Sequence, residues 1–148
     1  MELIIFIGIQ ATGKSEFYKC WLYNTHIRIN LDMLKIRNKE KILVEACFEA
    51  KQPFVVDNTN PTLADRKKYI DIAKSKGFKI VEYYFKSGIS EAIELNEKRT
   101  GKAKVPAAAI RSTYTKLELP VYDEGFDELY YVQIKDNDFT VEEYQNEV

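Results

Sequence analysis

The sequence feature that most constrains the fold is a glycine-bounded turn near the N-terminus, which joins a short apolar run to a polar helix start. The apolar run is residues 3–7, and the turn at residues 8–15 reads GIQATGKS. This is the spacing G-x-x-x-x-G-K-S of a loop whose backbone N–H groups surround the phosphates of a nucleotide. Because the loop needs a buried strand before it and a helix after it, the motif predicts an α/β domain that begins with these three elements.

Each position of this phosphate-binding loop (P-loop) has an expected role. Glycine lets the backbone pass close to phosphates because it has no Cβ atom. Lys14 is expected to neutralise the terminal phosphates, and the Ser15 hydroxyl to bind the Mg²⁺ that they carry. We therefore predict a nucleoside triphosphate, ATP, as a ligand, with Mg²⁺. The expected nucleotide-binding residues of the loop are Gly8, Gln10, Ala11, Thr12, Gly13, Lys14 and Ser15.

Strand and helix patterns alternate along the rest of the chain. Strand patterns cover residues 3–7, 27–29, 54–56, 78–85 and 128–134, and helical patterns cover residues 16–23, 39–50, 61–76, 89–100 and 106–117. This alternation favours a parallel sheet with helices on both faces. The 148 residues suit one domain, so we predict a single α/β domain over residues 1–148.

Composition excludes several classes of protein. Cys20 and Cys47 have no paired spacing and His26 is the single histidine, so neither a disulfide framework nor a histidine-rich metal site is expected. The apolar N-terminal run is too short to span a membrane and lacks the charged start and the cleavage site of a signal peptide. We expect a cytoplasmic protein with no membrane partner.

Two aspartates follow predicted strands, at the edge where open parallel sheets bind ligands. Asp57 comes directly after the third strand and is expected to hold Mg²⁺, although the position also suits a turn-forming aspartate. Asp32 comes after the second strand, where a carboxylate can take a proton from an attacking hydroxyl. It also suits a helix N-cap, and one residue could do both.

Charge is distributed unevenly along the C-terminal half. Residues 98–117 contain no acid, and a basic run beside a P-loop favours an anion-binding lid over a solvated surface. Residues 118–148 carry ten acids against Lys135 alone. The acidic tail at residues 136–148 is expected to be either a docked helix or a loose end. The cations of the basic run are Lys98, Arg99, Lys102, Lys104, Arg111 and Lys116.

Several segments together resemble the 5′-hydroxyl polynucleotide kinases, within the wider group of small P-loop kinases. They occur in the order of that family and cover the chain to about residue 134. The resemblance implies an adenylate-kinase-like, three-layer fold with a parallel five-stranded sheet and a helical basic lid at about 98–117. The segments are the P-loop, NLD at 30–32, VVDNTNP at 55–61 with Arg66, NEKR at 96–99, VP at 105–106, RSTY at 111–114, and LP to EGF at 119–126.

The resemblance also implies roles for individual residues. Asp32 matches the general base that activates the 5′-hydroxyl, and Lys14 matches the phosphate-binding lysine. Arg99 and Arg111 match lid arginines that close over the donor. The catalytic residues are then Asp32, Lys14, Arg99 and Arg111, the metal ligands are Ser15 and Asp57, and Thr59 and Asn60 join the nucleotide-binding residues.

The acceptor side departs from the family. Where the phage member of this family has an arginine that binds a phosphate of the acceptor, this chain has Lys35, with Arg37 nearby. Lysine cannot form the two parallel hydrogen bonds that arginine makes to a phosphate. We expect Lys35 and Arg37 to bind the acceptor, the 5′ end of a nucleic acid. Two alternatives stay open: a kinase for a nucleoside, sugar or antibiotic hydroxyl, and a regulatory module that binds nucleotide without an acceptor.

Overall fold

A computed structural model of the protein describes residues 1–144. Its strands are β1 Glu2–Ile7, β2 Ile27–Ile29, β3 Phe54–Val56, β4 Lys79–Phe85, β5 Glu128–Lys135 and β6 Asp138–Glu143. Its α-helices are α1 Lys14–Trp21, α2 Leu31–Leu34, α3 Arg37–Ala50, α4 Leu63–Ser75, α5 Ile89–Glu97 and α6 Ala107–Lys116, and 3₁₀ turns lie at Gly101–Ala103 and Tyr122–Glu124.

The strands form one sheet in the order β2-β3-β1-β4-β5-β6. All pairings among β1 to β5 are parallel, whereas β6 runs antiparallel to β5. The prediction of an α/β fold with five parallel strands is confirmed, and a sixth strand extends the sheet at one edge. Because β1 and β3 are neighbours, the P-loop and Asp57 leave the sheet side by side.

The central strand β1 carries the core on both of its faces. Leu3, Ile5 and Ile7 belong to the apolar cluster on one face, and Ile4 and Phe6 belong to the cluster on the other. All five side chains are at most 1% exposed. A continuous apolar run of this kind is what a strand covered by helices on both faces requires, and it gives the P-loop a rigid start.

The acidic tail begins as a β-hairpin, so both expectations for it are wrong over residues 138–143. Asp136 and Asn137 have φ angles of 52° and 63°. Two residues with positive φ form the turn whose twist matches antiparallel strands, and β6 pairs back onto β5 from Asp138 onward. The Asp-Asn pair was the signal for this turn. The end of the predicted tail, residues 145–148, lies outside the described residues.

The predicted lid is only partly helical. Helix α5 ends at Glu97, and the basic loop, which we define as residues 98–106, contains one 3₁₀ turn before α6 begins. Asn96, fully buried, closes this loop: its Nδ2 donates to the Val105 carbonyl at 2.6 Å, and its Oδ1 accepts from the Val105 amide at 3.0 Å. Asn96 therefore holds the end of the basic loop next to its beginning.

No helix within residues 1–144 is both long enough and apolar enough to cross a membrane.

Candidate active site

A cleft of about 650 Å³ opens at the carboxyl ends of β1, β2 and β3. It is lined by the P-loop, by Asp32 and Met33 of α2, and by part of the basic loop. Parallel strands place their carboxyl ends along one edge, so three segments far apart in sequence meet here.

The P-loop depends on glycine at two positions for two reasons. Gly13 has a φ of 92°, and a Cβ atom there would meet the Phe139 ring at 3.0 Å. At Gly8 a Cβ atom would lie 3.1 Å from Phe85 Cβ, while the Gly8 amide donates to the Thr59 carbonyl at 3.0 Å. The P-loop therefore packs closely against the β6 hairpin, β4 and the segment after β3. There is no room for a side chain at Gly8 or Gly13.

The side chain of Lys14 folds back onto the backbone of the P-loop. Its Nζ donates to the carbonyls of Gly8 at 2.9 Å and Ile9 at 2.6 Å, and the residue is 9% exposed. Burial lowers the pKa of Lys14 to about 8, with nearby Arg99 acting in the same direction and Asp57 and Asp32 opposing it. An anionic phosphate would favour its charged form, so this ammonium group is suited to bind phosphates.

The predicted metal ligands lie together. Ser15 Oγ donates to Asp57 Oδ2 at 3.0 Å, and Asp57 is 2% exposed. One hydroxyl and one carboxylate are hard oxygen donors of the kind that Mg²⁺ uses when phosphates and water complete its shell. No group of three or more acidic, histidine or cysteine residues suited to a metal occurs within residues 1–144. Ser15 and Asp57 therefore fit a magnesium ion whose remaining ligands come from phosphates and water.

Arg28 joins this pair, a contact that the sequence alone did not predict. Its Nε donates to Asp57 Oδ2 at 2.7 Å and its Nη2 donates to Ser15 Oγ at 2.9 Å. Arg28 is the middle residue of β2, between Ile27 and Ile29. Because side chains alternate along a strand, this pattern indicated that Arg28 points to the opposite face of the sheet from the two isoleucines.

Asp32 lines the same cleft as the P-loop and is exposed to solvent. It is the second residue of α2, and Asn30 caps that helix, because Asn30 Oδ1 accepts from the Met33 amide at 2.9 Å. The alternative that Asp32 is the N-cap is therefore wrong. Its carboxylate is left available for chemistry in the cleft, which is what the prediction of a general base requires.

The two predicted acceptor-binding residues are placed differently. Lys35, which ends α2, lines the cleft with Asp32. Arg37 does not line it, since its Nη1 donates to Glu40 Oε1 at 3.0 Å at the start of α3. The structure thus brings Lys35 to the site and leaves Arg37 outside it.

The predicted lid arginines are also separated. Arg99 lines the cleft, where its Nη1 donates to the Ala103 carbonyl at 3.2 Å. Arg111 lies on the exposed part of α6 and does not line the cleft. Helix α6 reaches the P-loop at another residue, because Gln10 Nε2 donates to Thr113 Oγ1 at 3.0 Å.

Of the residues after Asp57, Thr59 lines the cleft, whereas Asn60 does not. Asn60 is 4% exposed, and its Nδ2 donates to the Phe6 carbonyl at 2.8 Å. Its own carbonyl accepts from Arg66, a fully buried arginine that pairs with Glu124 at 2.8 Å. Asn60 therefore joins β1 to the segment after β3 and lies below the site, not at the predicted nucleotide contact.

The sequence is similar to proteins named as kinases. It is 31% identical over 130 residues to the bifunctional polynucleotide phosphatase/kinase of Schizosaccharomyces pombe, which covers 84% of this chain and 32% of that protein. It is 31% identical over 135 residues to a putative bifunctional polynucleotide phosphatase/kinase of Acanthamoeba polyphaga mimivirus, with 86% and 32% covered. It is 26% identical over 137 residues to the L-seryl-tRNA(Sec) kinase of Methanococcus maripaludis, with 80% and 53% covered.

The chain spans 32% of the length of each of the first two relatives. No protein-family model matches it. Among solved structures, it is similar to Kti12 of Chaetomium thermophilum in complex with ADP-AlF3, with a TM-score of 0.72, 16% identity and 90% of each chain covered. It is also similar to a gluconokinase of Sinorhizobium meliloti 1021, with a TM-score of 0.60, 19% identity, and 88% of this chain and 82% of that chain covered.

The structural matches and the sequence matches support different conclusions. At identities of 16% and 19%, the structures show the fold alone, and it is the predicted P-loop kinase fold. The sequence matches bear out the resemblance on which the site residues were chosen.

Proposed function

We propose that this chain, a P-loop kinase domain related to the polynucleotide kinases, transfers the terminal phosphoryl group of ATP to the 5′-hydroxyl of a polynucleotide. One observation carries the proposal. A single cleft is lined by Lys14, Ser15 and Asp57 and by the exposed residue Asp32. A hydroxyl bound beside Asp32 would face the terminal phosphate of a nucleotide bound by the P-loop.

The chemistry follows from these positions. Asp32 accepts the hydroxyl proton as the hydroxyl oxygen forms its bond to the γ-phosphorus. The bond from that phosphorus to the bridging oxygen breaks, and ADP leaves with the electron pair. Lys14 and Arg99, both at the cleft, balance the charge on the transferred group. Mg²⁺, held through Ser15 and Asp57, would neutralise charge on the phosphates when bound.

The surroundings of Asp32 support a polymeric acceptor. Lys19 and Lys35 line the cleft together with Asp32, and cations there attract the phosphates that flank a 5′ end. Met33, beside Asp32, lines the cleft and is 57% exposed, which gives a base an apolar contact. The relatives from Schizosaccharomyces pombe and the mimivirus are named for action on polynucleotides.

The test is transfer of label from gamma-labelled ATP. DNA and RNA oligomers with a 5′-hydroxyl are compared with the same oligomers carrying a 5′-phosphate, at low salt and with Mg²⁺. We expect label on the hydroxyl oligomers alone and none with Asp32→Asn. Absence of label on every oligomer, in a protein that binds ATP, would reject the proposal.

A small-molecule hydroxyl is the second candidate acceptor. It is favoured by Lys35, because a lysine gives a phosphate one point charge and no fork. Nucleosides, sugars and aminoglycosides are therefore included in the same assay. Label on one of these but on no oligomer would assign the small-molecule function, and hydrolysis of ATP with every acceptor unlabelled would indicate a regulatory module.

A further inference from the structure

Helix α2, which carries Asp32, is too short to hold its own position. It has four residues, Leu31–Leu34; none of them is fully buried, and the partly buried Leu34 packs against the main apolar cluster. A single helical turn is unstable by itself, and one partly buried leucine adds limited apolar packing. The position of Asp32 therefore also depends on polar contacts to the body of the domain.

Two asparagines make those contacts. Asn30 caps the helix, and its Nδ2 donates to the Asp57 carbonyl at 2.6 Å. Asn58, from the segment after β3, accepts the Leu31 amide at its Oδ1 at 2.8 Å. Both asparagines satisfy N–H groups that a helix start leaves without a partner. A shift of either side chain would shift the backbone that carries Asp32.

The orientation of Asn58 depends on a buried carboxylate. Its Nδ2 donates to Glu40 Oε2 at 3.0 Å, and Glu40, on α3, is 3% exposed. The other oxygen, Glu40 Oε1, accepts from the Tyr69 hydroxyl at 2.6 Å and from Arg37 Nη1 at 3.0 Å. An ionised carboxylate only accepts hydrogen bonds, so Asn58 must turn its NH₂ group to Glu40 and its oxygen to Leu31.

The same contacts keep Glu40 ionised. Burial acts against the charged form, but hydrogen bonds from Tyr69 and Asn58 and the contact with Arg37 outweigh it and hold the pKa of Glu40 below its usual value. A protonated Glu40 would present an O–H donor to one of these three donors. The network therefore has one consistent arrangement of donors and acceptors.

We propose that Glu40 is a positioning residue for the phosphoryl transfer, which sets the amide orientation of Asn58 and through it the place of Asp32. The inference rests on the proposed function, since it concerns how the acceptor side of that site is held. Glu40 touches neither nucleotide nor acceptor, because it does not line the cleft. It acts across three elements, from α3 through the segment after β3 to α2.

The test reverses which residue donates and which accepts in the hydrogen bond between Asn58 and Glu40. In Glu40→Gln the oxygen of Gln can still accept from Tyr69, so its NH₂ group faces the NH₂ group of Asn58. Asn58 must then flip and turn a donor toward the Leu31 amide. In Asn58→Asp two carboxylates face each other. The double variant, Glu40→Gln with Asn58→Asp, restores a donor facing an acceptor and leaves an oxygen for Leu31.

We expect each single variant to lower kcat for the transfer by about 10- to 100-fold, as displacement of a reacting group by about 1 Å does, with the affinity for ATP unchanged. The exchange rate of the Leu31 amide with solvent, measured by NMR, should rise in both single variants. The double variant should restore both the rate of transfer and the protection of Leu31.

Tyr69→Phe is the matched control. It removes another hydrogen bond from the same carboxylate and leaves Asn58 in place, so Leu31 should stay protected. Equal loss of protection in Tyr69→Phe and Glu40→Gln, or a double variant no better than the single ones, would overturn the inference. Unfolding curves confirm that each variant is folded. Exchange at Leu31 requires no acceptor, so it decides the role of Glu40 even if the unaltered protein labels no oligomer, an outcome that rejects the proposed function alone.

Discussion

The donor side and the acceptor side of the cleft are built in different ways. On the donor side, the P-loop leaves a strand whose core residues are at most 1% exposed, and Lys14 itself is 9% exposed. On the acceptor side, α2 buries no residue, and Asp32 is exposed. The donor side rests on apolar packing, whereas the acceptor side rests mainly on hydrogen bonds from distant segments.

The largest expected effects come from one substitution on each side. Asp32→Asn should lower kcat by about 100- to 10,000-fold, because it removes the proton acceptor, and should leave ATP affinity unchanged. Lys14→Ala should lower both ATP affinity and kcat, with a loss in kcat/KM of about 100-fold or more, since the lysine contacts the donor. Steady-state kinetics and titration with a fluorescent ATP analogue give both values. If Asp32→Asn weakens ATP binding as much as Lys14→Ala, the two sides are not independent.

The lid arginines should differ because the structure places them differently. Arg99→Ala should lower kcat by about 100-fold or more, as loss of a charge-stabilising arginine does in phosphoryl transfer. Arg111→Ala should have a smaller effect, because Arg111 does not line the cleft. The measurement is kcat at saturating ATP and acceptor. A larger loss for Arg111 would mean that α6 moves onto the nucleotide, and no loss for either would make the basic run a solvated surface.

The donor side should respond to pH through Lys14. Its pKa is lowered from 10.5 to about 8, so above pH 8 the free protein carries this lysine uncharged. Phosphates bind the charged form, so binding then takes up a proton, and affinity should fall by up to about tenfold per pH unit above pH 8. Fluorescent ATP titrations between about pH 7 and pH 10 measure this. Lys14→Arg keeps its charge throughout, so its affinity should not follow that slope.

The smallest expected effect on catalysis concerns the sheet that supports both sides. Glu82 on β4 is fully buried, and neither of its oxygens has a hydrogen-bond partner of good geometry within residues 1–144. Burial, together with the neighbouring carboxylate of Glu124, raises the pKa of Glu82 from 4.5 to about 9. The stability that Glu82 contributes is present below about pH 4.5 and is lost as pH rises through about 9.

Glu82→Gln stays neutral at every pH, so it should remove this loss. Relative to the variant, the unaltered protein should lose unfolding free energy as pH rises between about 4.5 and about 9, because Glu82 ionises in the unfolded chain and stays protonated in the folded one. Urea unfolding of both proteins at several pH values measures the difference. ATP affinity and kcat should stay unchanged, which separates the stability of the sheet from either side of the cleft. A constant difference at all pH values would contradict the prediction.

The order of elements and the donor site could be predicted because their signals are local. The P-loop spacing, the continuous apolar run before it and Asp57 directly after a buried strand each follow from neighbouring residues. The hairpin at Asp136 and Asn137 was equally local, but acidic composition concealed it. The separation of Arg99 from Arg111 could not be predicted, because the path of a loop between two helices depends on contacts such as that of Asn96 with Val105.

By itself, the sequence determined that the chain forms a parallel α/β sheet, that residues 8–15 form a P-loop where we propose that a nucleotide binds, and that Asp32 and Asp57 follow consecutive strands. Apolar periodicity and glycine spacing involve residues close together in the chain, so they can be recognised from the sequence alone. Only the tertiary structure decided that Arg28 joins the pair of Ser15 and Asp57, and that Asn58 links Glu40 to the start of α2 at Leu31. Such polar contacts link residues far apart in the chain, and their partners are chosen by the folding of the sheet.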